Sequence, residues 1–137
     1  MEDGSTNGKP GTRLFEGQLS VQELSSVRHQ LTSWAREAGL DQDTQYAVTL
    51  SGYEALANTV EHAYREEGSG PVELHARRAG DVVTVVVHDQ GQWRAPATEP
   101  NSRGRGLMLI RALGTNTDVQ HSPTGTVIRM TWQLPLA

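Results

Sequence analysis

The run EALANTVEHAYREEGSGPVELHARRAGDVVTVVVHDQG, residues 54–91, contains the change of period that decides the fold. Its first part carries Leu56, Ala57, Val60 and Ala63 at helical spacing, continuing Tyr46, Ala47 and Leu50 upstream. With no proline to stop it, this pattern predicts a helix from about Gln42 to about Glu66. Gly68-Ser69-Gly70-Pro71 then breaks it. The second part reads as strands: Val72–Ala76 alternates, and Val82–Val87 is almost unbroken Val and Thr. Arg78, Ala79, Gly80 and Asp81 between them fit a tight hairpin. A long helix running into an antiparallel pair implies a helical layer lying on a sheet.

The flanks extend that pattern. Upstream, Leu14, Phe15 and Leu19 bracket a short strand, and Ser20 with Glu23 forms a capping box for another helix. Val21, Leu24, Val27, Leu31, Trp34, Ala35 and Ala38 give that helix one apolar stripe. Gly39 fits its end, and Asp41 can cap the helix that follows. Downstream, Gln90–Arg103 is a proline-bearing loop long enough to be a functional lid. Gly106–Leu113 returns to helical spacing. Asp118–His121 and Thr126–Leu134 form a last strand pair around Ser122-Pro123-Thr124-Gly125. The expected order is βααββ, loop, α, ββ: an α+β two-layer sandwich with helices on one face of a mixed, mostly antiparallel sheet.

Composition narrows the function. The chain has 137 residues, a net charge of −4 and no cysteine. That length suits one domain, with residues 1–12 as a disordered tail and 13–137 as the folded unit. The acidic balance argues against a nucleic-acid surface. The absence of cysteine removes disulfides, thiolate metal sites and a cysteine nucleophile. No apolar run approaches a membrane span, and the first residues lack the order of a signal peptide, so a cytoplasmic protein is expected.

Four short constellations carry possible chemistry, and each has a plain structural alternative. Glu54 and Asn58, with Glu61 or His62, share a helix face. They form either a solvated stripe or a site in which Asn58 offers its amide oxygen to Mg²⁺ and Glu54 accepts a proton from a hydroxyl. Asp89 and Gly91 close the Val-rich strand. They are either a common turn or an acceptor for an exocyclic amine beside a glycine that lets a flat ring approach. Gly104-Arg105-Gly106 opens a helix near Leu107, with Arg103 and Arg111 adjacent. These residues suit either a flexible loop or a phosphate cradle at a helix N-terminus. Gly125-Thr126 is either an ordinary hairpin or a glycine turn presenting a hydroxyl to the Asp89 carboxylate. No Gly-Lys-Ser/Thr loop and no Gly-x-Ser-x-Gly elbow occurs. His75, His88 and His121 read as strand residues, and Trp34, Trp93 and Trp132 as packing for core or lid.

Taken in order, Glu54-Ala-Leu-Ala-Asn58-Thr-Val-Glu-His-Ala-Tyr64, Asp89-Gln-Gly91-Gln-Trp93, Gly104-Arg-Gly106-Leu-Met-Leu-Ile110 and Gly125-Thr126-Val-Ile-Arg-Met130 resemble the four nucleotide boxes of the Bergerat-fold (GHKL) ATPases. The resemblance spans about Arg13–Leu134 and is nearest to the anti-sigma-factor serine kinases of the RsbW/SpoIIAB type. It implies ATP and Mg²⁺ as cofactors, Glu54 as the base on an acceptor serine, and Asn58 as the Mg²⁺ ligand. Nucleotide contacts are implied for Asn58, His62, Asp89, Gly91, Trp93, Arg103, Gly104, Arg105, Gly106, Leu107 and Thr126. Trp93 stands where related histidine kinases usually have a second glycine.

The partners implied are a STAS-domain anti-anti-sigma factor, a sigma factor and a second copy of the chain, with no nucleic acid and no membrane. The expected activity is that of a protein serine/threonine kinase. A nucleotide-gated binding switch without transfer is the alternative, and a detached histidine-kinase catalytic domain is the weaker one.

Overall fold

The computed structural model describes residues 11–64, 68–91 and 116–135. Strand β1 (Thr12–Ser20) leads directly into helix α1 (Val21–Glu37), and helix α2 (Gln42–Asn58) follows after a four-residue connection. The capping box is present as expected: the Ser20 amide donates to Glu23 Oε1 at 2.7 Å, and Ser20 Oγ accepts from the Gln22 amide at 3.3 Å. Gly39 turns the chain in the left-handed region, with φ of 81°. Asp41 then caps α2 by accepting the Thr44 amide at 2.8 Å. Each of these local signals settles a helix end with a specific bond, which is why the boundaries were readable.

The far end of α2 departs from the expected helix. Regular α-helix stops at Asn58, a π-helical turn occupies Thr59–Ala63, and Tyr64 leaves the helical region. The expectation of one helix to about Glu66 is therefore corrected. The wider turn changes which residues face inward, placing His62 in the interior and Glu61 in solvent.

Strand β2 (Ser69–Ala79) starts earlier than its alternation suggested, passing through Gly70 and Pro71. Pro71 pairs with Gln18 of β1, whereas the ladder with β3 begins at Val72. The missing proline N–H therefore removes nothing from the β2–β3 ladder. Strand β3 (Val82–Asp89), strand β4 (Asn116–Ser122) and strand β5 (Gly125–Gln133) complete a sheet of order β1-β2-β3-β5-β4. Every described pairing is antiparallel, so the expected mixed sheet is antiparallel throughout these residues.

One sheet face is sealed. Val72, Leu74 and Ala76 of β2, Val83, Val85 and Val87 of β3, and Ile128, Met130 and Trp132 of β5 are buried with Leu24, Val27, Leu31 and Ala35 of α1 and Val48, Ala55 and Leu56 of α2. Strict alternation along β3 and β5 puts their other residues on the opposite face. This layering carries the site, because α2 lies over the same sheet face on which β3 ends and β5 begins.

Candidate active site at the end of the sheet

The register sets Val72, Asp89, Thr126 and His121 side by side across β2, β3, β5 and β4. Alternation that brings Val85 and Val87 inward brings Asp89 inward too, so a carboxylate occupies the last position of a Val-rich core strand. It is 1% exposed, and Thr126 beside it is 2% exposed. Sealing an ionisable group in an apolar layer is costly unless hydrogen bonds compensate. Asp89 Oδ1 accepts the Gly91 amide at 3.0 Å. Thr126 Oγ1 and His121 Nδ1 are 3.0 Å apart, and the imidazole tautomer decides which one donates. Gly125, with φ of 153°, lies so close that a Cβ there would run into the Asp89 carbonyl oxygen. The start of β5 can meet the end of β3 only without a side chain at that point.

The second group of candidate residues lies on α2. Ala47, Ser51, Glu54 and Asn58 follow one another at i, i+4, i+7 and i+11 along one flank of α2. Glu54 is half-buried, and among the described residues no hydrogen bond or ion pair engages its carboxylate. Asn58 is 5% exposed, and its Nδ2 finds no hydrogen-bond partner among the described residues. An amide turned over presents its oxygen at the same position, so this group suits a hard cation. Among the described residues no cluster of three or more His, Cys, Asp or Glu could hold a metal alone. His62, also 5% exposed, lies in the π-helical turn with Nε2 3.9 Å from Glu61 Oε1. Single π turns recur at functional sites.

The two groups are joined by a residue that sequence reasoning passed over. Tyr64 is 5% exposed; its hydroxyl donates to the Pro71 carbonyl at 2.6 Å and accepts the Gln90 amide at 2.8 Å. At Gly91 a Cβ would come within 2.5 Å of the Ala63 carbonyl oxygen and 2.7 Å of the Tyr64 ring. The loop after Asp89 is thus pressed onto the end of the helix. No spacing rule links Tyr64 to a residue 26 positions later. The one available hint was that a buried phenol needs a partner.

The structure therefore brings Asp89, Gly91 and Thr126 together at the sheet end, and ties the end of the helical segment carrying Glu54, Asn58 and His62 to the same loop. Trp93, Arg103, Gly104, Arg105, Gly106 and Leu107 lie outside the described residues, as do Arg111, the helix expected over Gly106–Leu113 and the N-terminal tail to position 10.

A helical layer over an antiparallel sheet, with a sealed acid where the core strand ends, defines a Bergerat-type nucleotide-binding architecture. The family model for the histidine kinase-like ATPase domain matches residues 18–132, and the chain belongs to that family. Membership implies ATP binding. The chain is 40% identical over 52 residues to an anti-sigma F factor of Lysinibacillus sphaericus, covering 38% of this chain and 34% of that protein. It is 28% identical over 101 residues to blue-light-activated histidine kinase 2 of Erythrobacter litoralis, covering 69% of this chain and 29% of that one. Among solved structures, the RsbU and RsbW domains of Rv1364c from Mycobacterium tuberculosis superpose with a TM-score of 0.67 at 26% identity, covering 88% of this chain and 32% of that one. A histidine kinase domain from Erythrobacter litoralis shares the fold at a TM-score of 0.58 and 20% identity, covering 95% of this chain and 66% of that one. The RsbW/SpoIIAB-type resemblance is thereby upheld. The chain spans about a third of the length of the curated relatives it matches.

Proposed function

We propose that this chain is an ATP- and Mg²⁺-dependent protein serine kinase that also acts as an anti-sigma factor. The observation that carries the nucleotide reading is Asp89, a carboxylate sealed at the end of a core strand beside Thr126 and next to Gly91. Such a group is retained in an apolar layer when it has an amine to receive, and the exocyclic amine of adenine fits. Thr126 stands beside that carboxylate on the neighbouring strand, and Gly91, where a Cβ would strike Ala63 and Tyr64, lets the loop that bonds Asp89 close on the helix end. Residues 13–137 would act together as the kinase domain.

On the helix, Asn58 would hold Mg²⁺ through its amide oxygen, and the ion would neutralise charge on the phosphates. Glu54 lies one helical turn before Asn58 and has no internal partner among the described residues. It would take the proton of an acceptor serine as the serine oxygen bonds to the γ-phosphorus and ADP departs. Phosphoryl transfer asks little more of a protein than positioning and charge neutralisation. The similarity to an anti-sigma F factor and to an RsbW-containing structure supports a STAS-domain phosphoacceptor and a sigma factor as the two partners. Among the described residues no helix is long and apolar enough to cross a membrane.

The test is transfer of labelled phosphate from ATP to a STAS-domain protein by wild type and by Glu54→Ala. Loss of a general base lowers transfer by about 10²- to 10⁴-fold, and ATP binding should persist. Undiminished transfer by the variant rejects Glu54 as the base. Absence of transfer by wild type, with ATP still bound, makes the chain a nucleotide-gated binder. Asn58→Ala should weaken the Mg²⁺-dependent part of ATP affinity.

A further inference from the structure

We infer that Tyr64 is a positioning residue that sets the selectivity of the nucleotide pocket for adenine. The inference rests on the reading of Asp89 as the adenine acceptor and assigns to Tyr64, the last residue of the first box and one given no role there, the task of aiming it. The Tyr64 ring fills the space between two glycines: a Cβ at Gly70 would overlap the ring, and a Cβ at Gly91 would come within 2.7 Å of it. Its hydroxyl lies between two chain segments, donating to the Pro71 carbonyl in β2 and accepting the Gln90 amide just after β3. The next amide, of Gly91, is the one that donates to Asp89 Oδ1 at 3.0 Å. One phenol oxygen therefore fixes the Gln90–Gly91 backbone, and that backbone fixes the Asp89 carboxylate.

The geometry separates two effects of this side chain. The ring supplies packing, and the hydroxyl supplies orientation. Tyr64→Phe removes only the second. A mis-aimed Asp89 would lose its bond to the exocyclic amine, whereas ribose and phosphates carry no amine for that carboxylate to receive. The expected signature is a loss confined to the base.

The experiment titrates the full chain with ATP and with inosine triphosphate, which carries a carbonyl in place of the exocyclic amine, in wild type and in Tyr64→Phe. Wild type should prefer ATP. The variant should bind ATP about three- to tenfold more weakly, the value of one hydrogen bond in a buried network. Its affinity for inosine triphosphate should stay within about twofold, so the preference collapses. A variant that keeps the wild-type preference overturns the role of Tyr64 alone, and so does one that loses affinity equally for both nucleotides. A wild type that binds neither, or binds both alike, overturns the adenine reading of Asp89 and the inference with it. Amide exchange in wild type gives a readout independent of any variant's folding. The Gln90 amide should be protected and should slow further with ATP but not with inosine triphosphate; an unprotected Gln90 overturns the inference.

Discussion

The two ends of the central sheet share strands, twist and core, yet they are built on opposite terms. At the hairpin end, Val82 pairs with Ala79 and Gln133, Val83 pairs with Trp132, and Gly80-Asp81 makes the β2–β3 turn. The Asp81 carbonyl accepts the Leu134 amide at 2.7 Å, so even the strand exit is tied down. That end is apolar inside and its backbone exit is bonded, with the Trp132 Nε1 the buried polar atom left without a partner among the described residues. At the other end, the row Val72, Asp89, Thr126 and His121 places polar groups on strands whose adjoining inward residues include Val87 and Ile128. Two glycines there, Gly91 and Gly125, allow backbone contacts that a Cβ would block. One end is optimised for the fold alone. The other accepts buried polarity, of the kind that departs from the demands of the fold alone.

Substitutions at the two ends should therefore fail in opposite ways. Trp132→Ala, at the apolar end, should cost about 3–5 kcal/mol of stability, lowering the melting temperature by roughly 10–25 °C. Below that temperature ATP affinity should be unchanged; an equal loss of affinity would dissolve the distinction between the ends. Asp89→Asn should do the reverse. Calorimetric titration is expected to show ATP binding about 10- to 100-fold weaker, with melting within about 4 °C of wild type. Thr126→Val keeps the shape and removes the hydroxyl, and about a three- to tenfold loss of ATP affinity is expected. A neutral result would reduce Thr126 to a strand residue.

The smallest effect is electrostatic and belongs to the frame. The Glu73 carboxyl is held below its ordinary value of 4.5, chiefly by the hydrogen bond from His75. Glu23 is lowered from 4.5 by its bonds to Ser20, and Asp41 from 3.8 by its bonds to Thr44. A depressed folded-state value gives stability that is present above the unfolded value and lost as pH falls through the folded one. The contribution of these three carboxylates to the melting temperature should be complete above about pH 5 and decline below about 4.5. Ser20→Ala should flatten part of that decline, because it removes the partner that lowers Glu23.

How much of this was readable follows from the range of the interactions. Ser20 with Glu23, Asp41 with Thr44 and the Gly80-Asp81 hairpin are local, and each announced itself within four residues. The strands were underestimated at their ends because Gly70-Pro71 looks like a breaker when the neighbouring ladder is unknown. The π-helical turn went unread because a 3.6-residue period cannot register one widened turn, and Ala63 and Tyr64 still looked helical. Asp89, Gly91, Thr126, Glu54 and Asn58 were legible only as a set in order along the chain. Residue chemistry alone left each with an ordinary explanation. Tyr64 and the His121–Thr126 contact were invisible, because both arise from register and packing instead of spacing.

The π-helical turn has a further consequence, for chain length. Between Asn58 and Tyr64 the protein spends one residue more than a regular helix needs to cover the same rise. Deleting a single residue from Thr59–Ala63 would restore α-helical pitch and leave the fold recognisable. Within the shortened turn, however, each side chain would point about 100° from its neighbour, so the inward place of His62 and the outward place of Glu61 would no longer be kept, and the backbone carrying Tyr64 would be drawn onto a tighter path. The count of residues in this segment is therefore itself a functional parameter. In chains of this architecture, a one-residue gap here marks a pocket assembled differently, even where every box residue is retained.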